Sequence, residues 1–204
     1  MKTTIYLIRH GTTFWNEEGR MQGISDIELS EKGLLEAENA GEQLKNISFS
    51  AIYTSPLRRA AKTAEAIGKH HDLFPIHISE FKERSFGIFE GLTWDEIDHH
   101  PSFVNYGKTE SFYARSEKGE SFHDVYLRTS KQLDALVQKH PNETIAVVAH
   151  SVVIKVLGFH IGRLKVDELS HFVIPNAQPV LVEYNHRKKR YNSIDFPLIK
   201  RKTL

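Results

Sequence analysis

Three arginines and two histidines follow three apolar runs in this 204-residue chain. In YLIRHGTTFWN (6–16), Arg9 and His10 come directly after such a run; in SAIYTSPLRRA (50–60), Ser55 to Arg59 follow another; in TIAVVAHS (144–151), His150 ends a third. Each run is short, β-branched and aromatic, without clean polar alternation, which predicts strands buried on both faces at 4–8, 50–54 and 144–149. In an open α/β sheet the ligand crevice lies beyond the carboxyl ends of the strands, so these residues are expected at one edge. Several cations around one point suit phosphate or sulfate better than a carboxylate, and arginine donates to such anions bidentately. His10, set among positive charges, is expected to have a depressed pKa and to be neutral, as a nitrogen nucleophile must be. His150 is placed to donate a hydrogen bond to a phosphoryl oxygen that gains charge during transfer. A leaving alkoxide also needs a proton. FKERSFGIFEG (81–91), after an expected strand PIHIS (75–79), offers Glu83, with Glu80 and Glu90 as competitors.

The elements that must position these groups alternate. After the first strand, LSEKGLLEAENAGEQLKNI predicts a helix capped by Ser30, with Leu34, Ala37, Ala40, Gly41 and Leu44 on its apolar face. After the second, Ser55 and Pro56 predict an N-cap and first helical residue opening LRRAAKTAEAIGKHH, so that helix and the one after His150 would each aim a positive dipole end at the crevice. SVVIKVLGFHIG is apolar nearly all round and predicts a buried helix. VLVEYNHRKKRYNSIDF (180–196) predicts an edge hairpin, and SFHD a capped helix from Ser121. The expected fold class is α/β: a three-layer sandwich with a mainly parallel central sheet flanked by helices, an antiparallel edge hairpin and a small inserted lid region. One domain spans 1–204, with the lid insertion at about 92–121, where Phe103, Tyr106, Phe112, Tyr113 and Phe122 could face a substrate or form a minor core.

Lys+Arg 27 against Asp+Glu 26 leaves no global field to gather nucleic acid or an anionic membrane, so neither is expected as a partner and any anion site is local. The absence of cysteine removes disulfides, zinc-thiolate sites and thiol nucleophiles, and fits the cytoplasm. The run Ile5 to Ile8 is too short for a signal-peptide core, no stretch suits a membrane span, and a soluble, uncleaved chain is expected. There is no Walker loop or dinucleotide fingerprint, and paired histidines such as His70-His71 and His99-His100 lack a metal-ligand spacing.

Arg9-His10-Gly11-Thr12 with Asn16, MQGISDIELSEKG, YTSPLRRAAKTAEAI, FKERSFGIFEG, GESFHDV and VVAHS, in this order over about residues 3 to 157, resemble the histidine phosphatase superfamily, also called the phosphoglycerate mutase-like family, in its broad-specificity phosphatase-like branch. The resemblance implies a phosphohistidine mechanism needing no metal or other cofactor. His10 matches the nucleophile, Glu83 the proton donor, and Arg9, Arg59 and His150 the phosphate pocket. Asn16, Gln22 and Gly23 match its rim, and Thr12 and Ser151 complete the phosphate- and substrate-binding set. Arg58 is left as a surface charge, and Ser151 departs from the glycine usual in the family after the second histidine. The implied activity is that of a phosphoric monoester hydrolase of histidine acid phosphatase type acting on a small phosphate ester. The alternatives are a phosphoglycerate mutase-type transfer, which familiar members perform with a longer insertion, and an inactive phospho-ligand binding protein.

Overall fold

The computed structural model describes residues 1–103, 112–196 and 199–200. Strand β1 (Lys2–Arg9) is followed by a single-turn helix α1 (Phe14–Glu17), then α2 (Glu31–Leu44), β2 (Ala51–Thr54), α3 (Arg58–Gly68) and β3 (Ile76–His77). The later elements are α4 (Trp94–Asp98), α5 (Phe122–Lys139), β4 (Thr144–Ala149), α6 (Ser151–His160), β5 (Phe172–Val173), β6 (Pro179–Asn185), β7 (Arg190–Asp195) and β8 (Ile199–Lys200). Six strands form one sheet in the order β3-β2-β4-β1-β6-β7; the first four are parallel, and β6 and β7 are the antiparallel hairpin at the far edge. β5 and β8 pair separately. No helix among the described residues is long and apolar enough to cross a membrane.

The central strands read as continuous apolar runs because successive side chains enter two different cores. Ile5 and Leu7 of β1, Ala51 and Tyr53 of β2, and Ile145 and Val147 of β4 pack with Leu133 and Val137 of α5 and Ile154 and Leu157 of α6. Ile8, Ile52, Ala146 and Val148 point the other way, onto Ala40 and Leu44 of α2 and Ala60, Ala64 and Ile67 of α3. The result is three layers, with each helix pair burying its apolar stripe on one sheet face. Ser30 caps α2 by accepting from Gly33 N–H, and Ser121 and Asp124 form a reciprocal capping box on α5.

Two local expectations are corrected. Ser55 and Pro56 do not open α3; Leu57 is its N-cap, and Ser55 instead extends the sheet, its N–H donating to the Val148 carbonyl at 3.0 Å. On α2 the buried stripe runs through Gly33, Ala37, Ala40, Gly41 and Leu44, while Leu34 lies exposed because the chain carrying Thr12 crosses the helix at Gly33.

Strand register brings the polar ends together. Arg9 pairs with Ala149 and Thr54 with Val148, and His10 N–H continues the ladder to the Ala149 carbonyl at 3.0 Å. His10, Ser55 and His150 therefore leave three neighbouring strands at one level.

Candidate active site

His10 is 3% exposed, and its Nδ1 lies 2.7 Å from the carbonyl oxygen of Gly11. A carbonyl can only accept, so Nδ1 carries the proton and Nε2 the lone pair. Burial first, then the charges of Arg59 and Arg9, hold its pKa well below the ordinary 6.5, which keeps the ring neutral. The backbone around it is tied from several sides. Gly11 N–H donates to Thr63 Oγ1, which in turn donates to the Arg59 carbonyl; Asn176 Nδ2 donates to the His10 carbonyl at 2.7 Å, and Ala177 N–H to that of Arg9. Beneath the loop, a Cβ on Gly33 would stand 1.8 Å from the Thr12 oxygen, so this crossing admits only glycine there.

Arg59, on the first turn of α3, is fully buried, and its Nη1 and Nη2 donate to the carbonyls of Ser25 and Gly23. Burial lowers its pKa to about 10, against the pull of Glu83, and it stays charged at neutral pH. The 23–25 turn that receives it is held by Glu90, whose carboxylate accepts from Ile24 N–H, Ser25 N–H and Oγ, Ser85 Oγ and Phe86 N–H. Gly23 has φ +57, and a Cβ there would strike the Glu90 carboxylate, so the rim glycine answers both to backbone conformation and to this clamp. Arg58, by contrast, is exposed and pairs with Glu28 and Asp26.

His150 is fully buried with its ring centroid 5.1 Å from that of His10. Its Nε2 is 2.8 Å from Ser55 Oγ, and that hydroxyl accepts from Leu57 N–H. Burial, Arg59 and His10 lower its pKa well below 6.5. Glu83 is 7% exposed; its Oε1 accepts from Arg84 N–H at 2.9 Å and its Oε2 from Val152 N–H at 3.2 Å, in the first turn of α6. Among the three acids of this loop, Glu83 thus faces the histidines' side of the fold, Glu90 is taken up by the rim, and Glu80 is exposed beside Ser79.

These residues open onto a cleft of about 460 Å³. Arg9, His10, Asn16, Gln22, Gly23, Arg59, Glu83 and Ser151 all line it. Thr12 and His150 do not: Thr12 N–H and hydroxyl bond to the Glu36 carboxylate, and His150 lies fully buried beside the His10 ring. The outer wall is aromatic, with Trp15, Phe86, Trp94, Phe103, Phe112 and Phe122. Arg84 is flanked in the same wall by the Phe86 and Phe122 rings at 5.2 and 4.7 Å. Tyr113 is exposed away from the cleft, and Tyr106 lies outside the described residues.

Four buried side-chain atoms here have no hydrogen-bond partner among the described residues: Arg9 Nε, Arg59 Nε, His150 Nδ1 and Gln22 Oε1. Unpaired buried polar atoms are rare and call for a ligand or solvent to satisfy them. Among the described residues no group of three or more His, Asp and Glu is disposed to hold a metal ion. The unpaired donors suit a compact oxyanion beside the His10 lone pair.

A model of the histidine phosphatase superfamily, branch 1, matches residues 5–196. The chain belongs to this superfamily. Among its relatives, the "Uncharacterized phosphatase PhoE" of Bacillus subtilis is 35% identical over 195 residues, 93% of this chain and 94% of that protein. A 2,3-bisphosphoglycerate-dependent phosphoglycerate mutase of Bartonella bacilliformis is 30% identical, covering 91% and 94%. The structure of phosphoserine phosphatase from Entamoeba histolytica in complex with 3-phosphoglyceric acid superposes with TM-score 0.81 at 28% identity over 98% of each chain.

Ser55, Thr63, Asn176 and Arg84 are the site residues that sequence patterns did not single out. Arg84 had a signal in its adjacency to Glu83; the other three act across the fold, and Ser55 was read as a cap instead.

Proposed function

We propose that the chain is a metal-independent phosphomonoesterase that works on small phosphate esters through a phosphohistidine at His10. The observation that carries this reading is the set of unpaired buried donors around a histidine whose Nδ1–H is already spent on Gly11. Leaving such donors unmatched costs about 1–3 kcal/mol each, which a bound phosphoryl group would recover. Arg9 and Arg59 supply the charge that a metal would otherwise bring. Ser55 Oγ accepts from Leu57 N–H and turns its proton to His150 Nε2, which leaves His150 Nδ1–H to donate to an equatorial oxygen.

In the first step His10 Nε2 forms the bond to phosphorus as the ester oxygen leaves in line, and Glu83 gives that oxygen its proton. Water then attacks the phosphohistidine, Glu83 takes its proton, and inorganic phosphate departs with His10 restored. Gln22, Asn16, Gly23 and Ser151 form the rim of the phosphoryl pocket, while Trp94, Phe103 and Phe112 of the 92–121 insertion, in one domain spanning 1–204, contribute to the leaving-group wall. The aromatic share of that wall is our ground for favouring hydrolysis over mutase transfer. We place the activity in the cytoplasm, in keeping with a chain without cysteine.

Incubation with a phosphate-labelled ester in the presence of chelator tests the reading. Acid-labile, base-stable label should appear on the wild-type protein and not on His10→Ala, with phosphate as the main product. Label on the variant refutes the nucleophile, loss of turnover in chelator refutes metal independence, and rapid conversion of 3- to 2-phosphoglycerate refutes the hydrolase assignment in favour of the mutase seen among the relatives.

A further inference from the structure

Arg128, on α5, sits outside the cleft, yet all five of its guanidinium N–H donors are directed at the loop that carries Glu83 or at the residue bracing it. Nη1 donates to the carbonyls of Glu80 and of Lys82, the latter at 2.7 Å, and Nη2 to that of Glu83 at 3.0 Å. The remaining two donors, Nε and Nη2, make a fork onto Glu120, both at 2.9 Å. Glu120 Oε2 then accepts from Ser85 N–H at 2.9 Å, and the Glu120 carbonyl accepts from Arg84 Nε at 2.6 Å.

Residues 82–86 have no strand partner, since β3 ends at His77 and only short 3-10 turns at Ser79–Phe81 and Gly87–Phe89 flank them. Around Glu83 their backbone groups are met by side chains: the Lys82 and Glu83 carbonyls by Arg128, Arg84 N–H by Glu83 and Ser85 N–H by Glu120. Arg128 takes the carbonyls on one side of Glu83 and Glu120 the N–H on the other, so the backbone at 83 is fixed at both ends. The Glu83 carboxylate is then aimed by two short contacts, to Arg84 N–H and Val152 N–H. A planar fork with five donors matches three carbonyls and a carboxylate at once; a lysine, with three donors on a flexible stem, does not.

We infer that Arg128, held by Glu120, is a positioning residue that sets the reach of the Glu83 carboxyl group to the leaving oxygen. The inference rests on the proposed role of Glu83 as proton donor. It predicts a defect that depends on the leaving group, because an alkoxide needs the proton and an activated phenolate does not.

Phosphorylation of the enzyme is measured in single turnover with glycerol phosphate and with p-nitrophenyl phosphate, for wild type, Arg128→Ala, Glu83→Gln and the double variant. Arg128→Ala should slow the alkyl ester by about 10²-fold, the scale of a misplaced group, and the aryl ester much less. Guanidinium ion should restore part of the alkyl rate, and in the Glu83→Gln background the Arg128 change should add no further discrimination between esters. Equal losses on both esters, or the same added alkyl loss without Glu83, would overturn the inference. If Arg128→Ala does not fold, Arg128→Lys carries the same comparison, with a smaller alkyl-selective loss expected and a uniform loss again overturning it. Ester-independent loss in Glu83→Gln alone refutes the acid and the inference together; selective loss there with uniform loss in the Arg128 variants refutes the inference alone.

Discussion

Replacing His10 by asparagine should change how stability depends on pH, and by an amount that follows from the burial of the ring. In the folded chain burial, Arg59 and Arg9 hold the His10 pKa well below 6.5, whereas the unfolded chain titrates near that value. Below pH 6.5 the unfolded state therefore takes up a proton that the folded state refuses, so stability falls as pH falls and is regained above 6.5. For one such histidine the difference between roughly pH 7.5 and pH 5.5 is at most RT ln(1 + 10^(6.5 − pH)) evaluated at the two ends, on the order of 1 kcal/mol, the limit reached when the folded ring takes up no proton in this window. Asparagine at position 10 keeps an amide N–H that can face the Gly11 carbonyl and alters packing, but that change does not vary with pH and cancels in the difference. Arg59, at about 10, stays charged across this window and does not contribute. Urea denaturation of both proteins at the two pH values, in buffer free of phosphate so that no anion biases the folded state, gives the quantity directly. The wild type should lose more than His10→Asn on acidification, by up to about 1 kcal/mol. An identical loss in both proteins would mean that His10 takes up its proton in the folded state as readily as in the unfolded one, and the neutral-nucleophile argument would fail with it.

Other consequences can be measured on single variants. Thr63→Val keeps the shape of the side chain but leaves Gly11 N–H without an acceptor, so urea denaturation should show a loss of about 1–3 kcal/mol; no loss would show that the loop finds another acceptor. Gly33→Ala places a methyl group against the Thr12 carbonyl and should cost about 1–3 kcal/mol while lowering turnover, since the displaced backbone carries His10 two residues upstream; full turnover would refute the role given to this crossing. Alanine at Phe103, Phe112 or Phe122 should reorder kcat/KM across a panel of phosphate esters, whereas Tyr113→Ala, exposed and outside the cleft, should leave the order unchanged. The reverse pattern would assign the three wall aromatics to packing alone.

The sheet was legible because β1, β2 and β4 fill two cores at once, a pattern that survives in sequence as unbroken apolar runs. Ser30 and Ser121 were legible as caps because capping is local. Ser55 was misread for a related reason: Ser-Pro satisfies the rule for a helix start, yet its hydroxyl is engaged by His150, ninety-five positions away, which no local rule can see. The arginine-histidine ends of the strands announced an anion site, but the three glutamates of 80–90 carried no periodicity to rank them. Contacts separate them: Glu90 is held by five donors in the rim, Glu80 is exposed, and Glu83 lies beside the α6 N-terminus. Arg128 was invisible for the opposite reason, since an arginine on an amphipathic helix reads as a solvated face until the loop it supports is placed beside it.

The bond from His10 Nδ1 to the Gly11 carbonyl joins the ring to the very next peptide unit. Where a separate carboxylate orients a catalytic imidazole, that carboxylate can be lost, and the ring is left free to present the wrong nitrogen. Here the orienting group belongs to the main chain, which every amino acid shares, so no replacement elsewhere in the protein deletes it. Genetic inactivation by tautomer error is closed off. A silenced descendant of this chain would have to give up the imidazole itself, its anion-holding arginines, its acid or the backbone crossing that places them, and a survey of inactive variants should find lesions at those places and none that act by presenting the wrong nitrogen of a correctly placed His10.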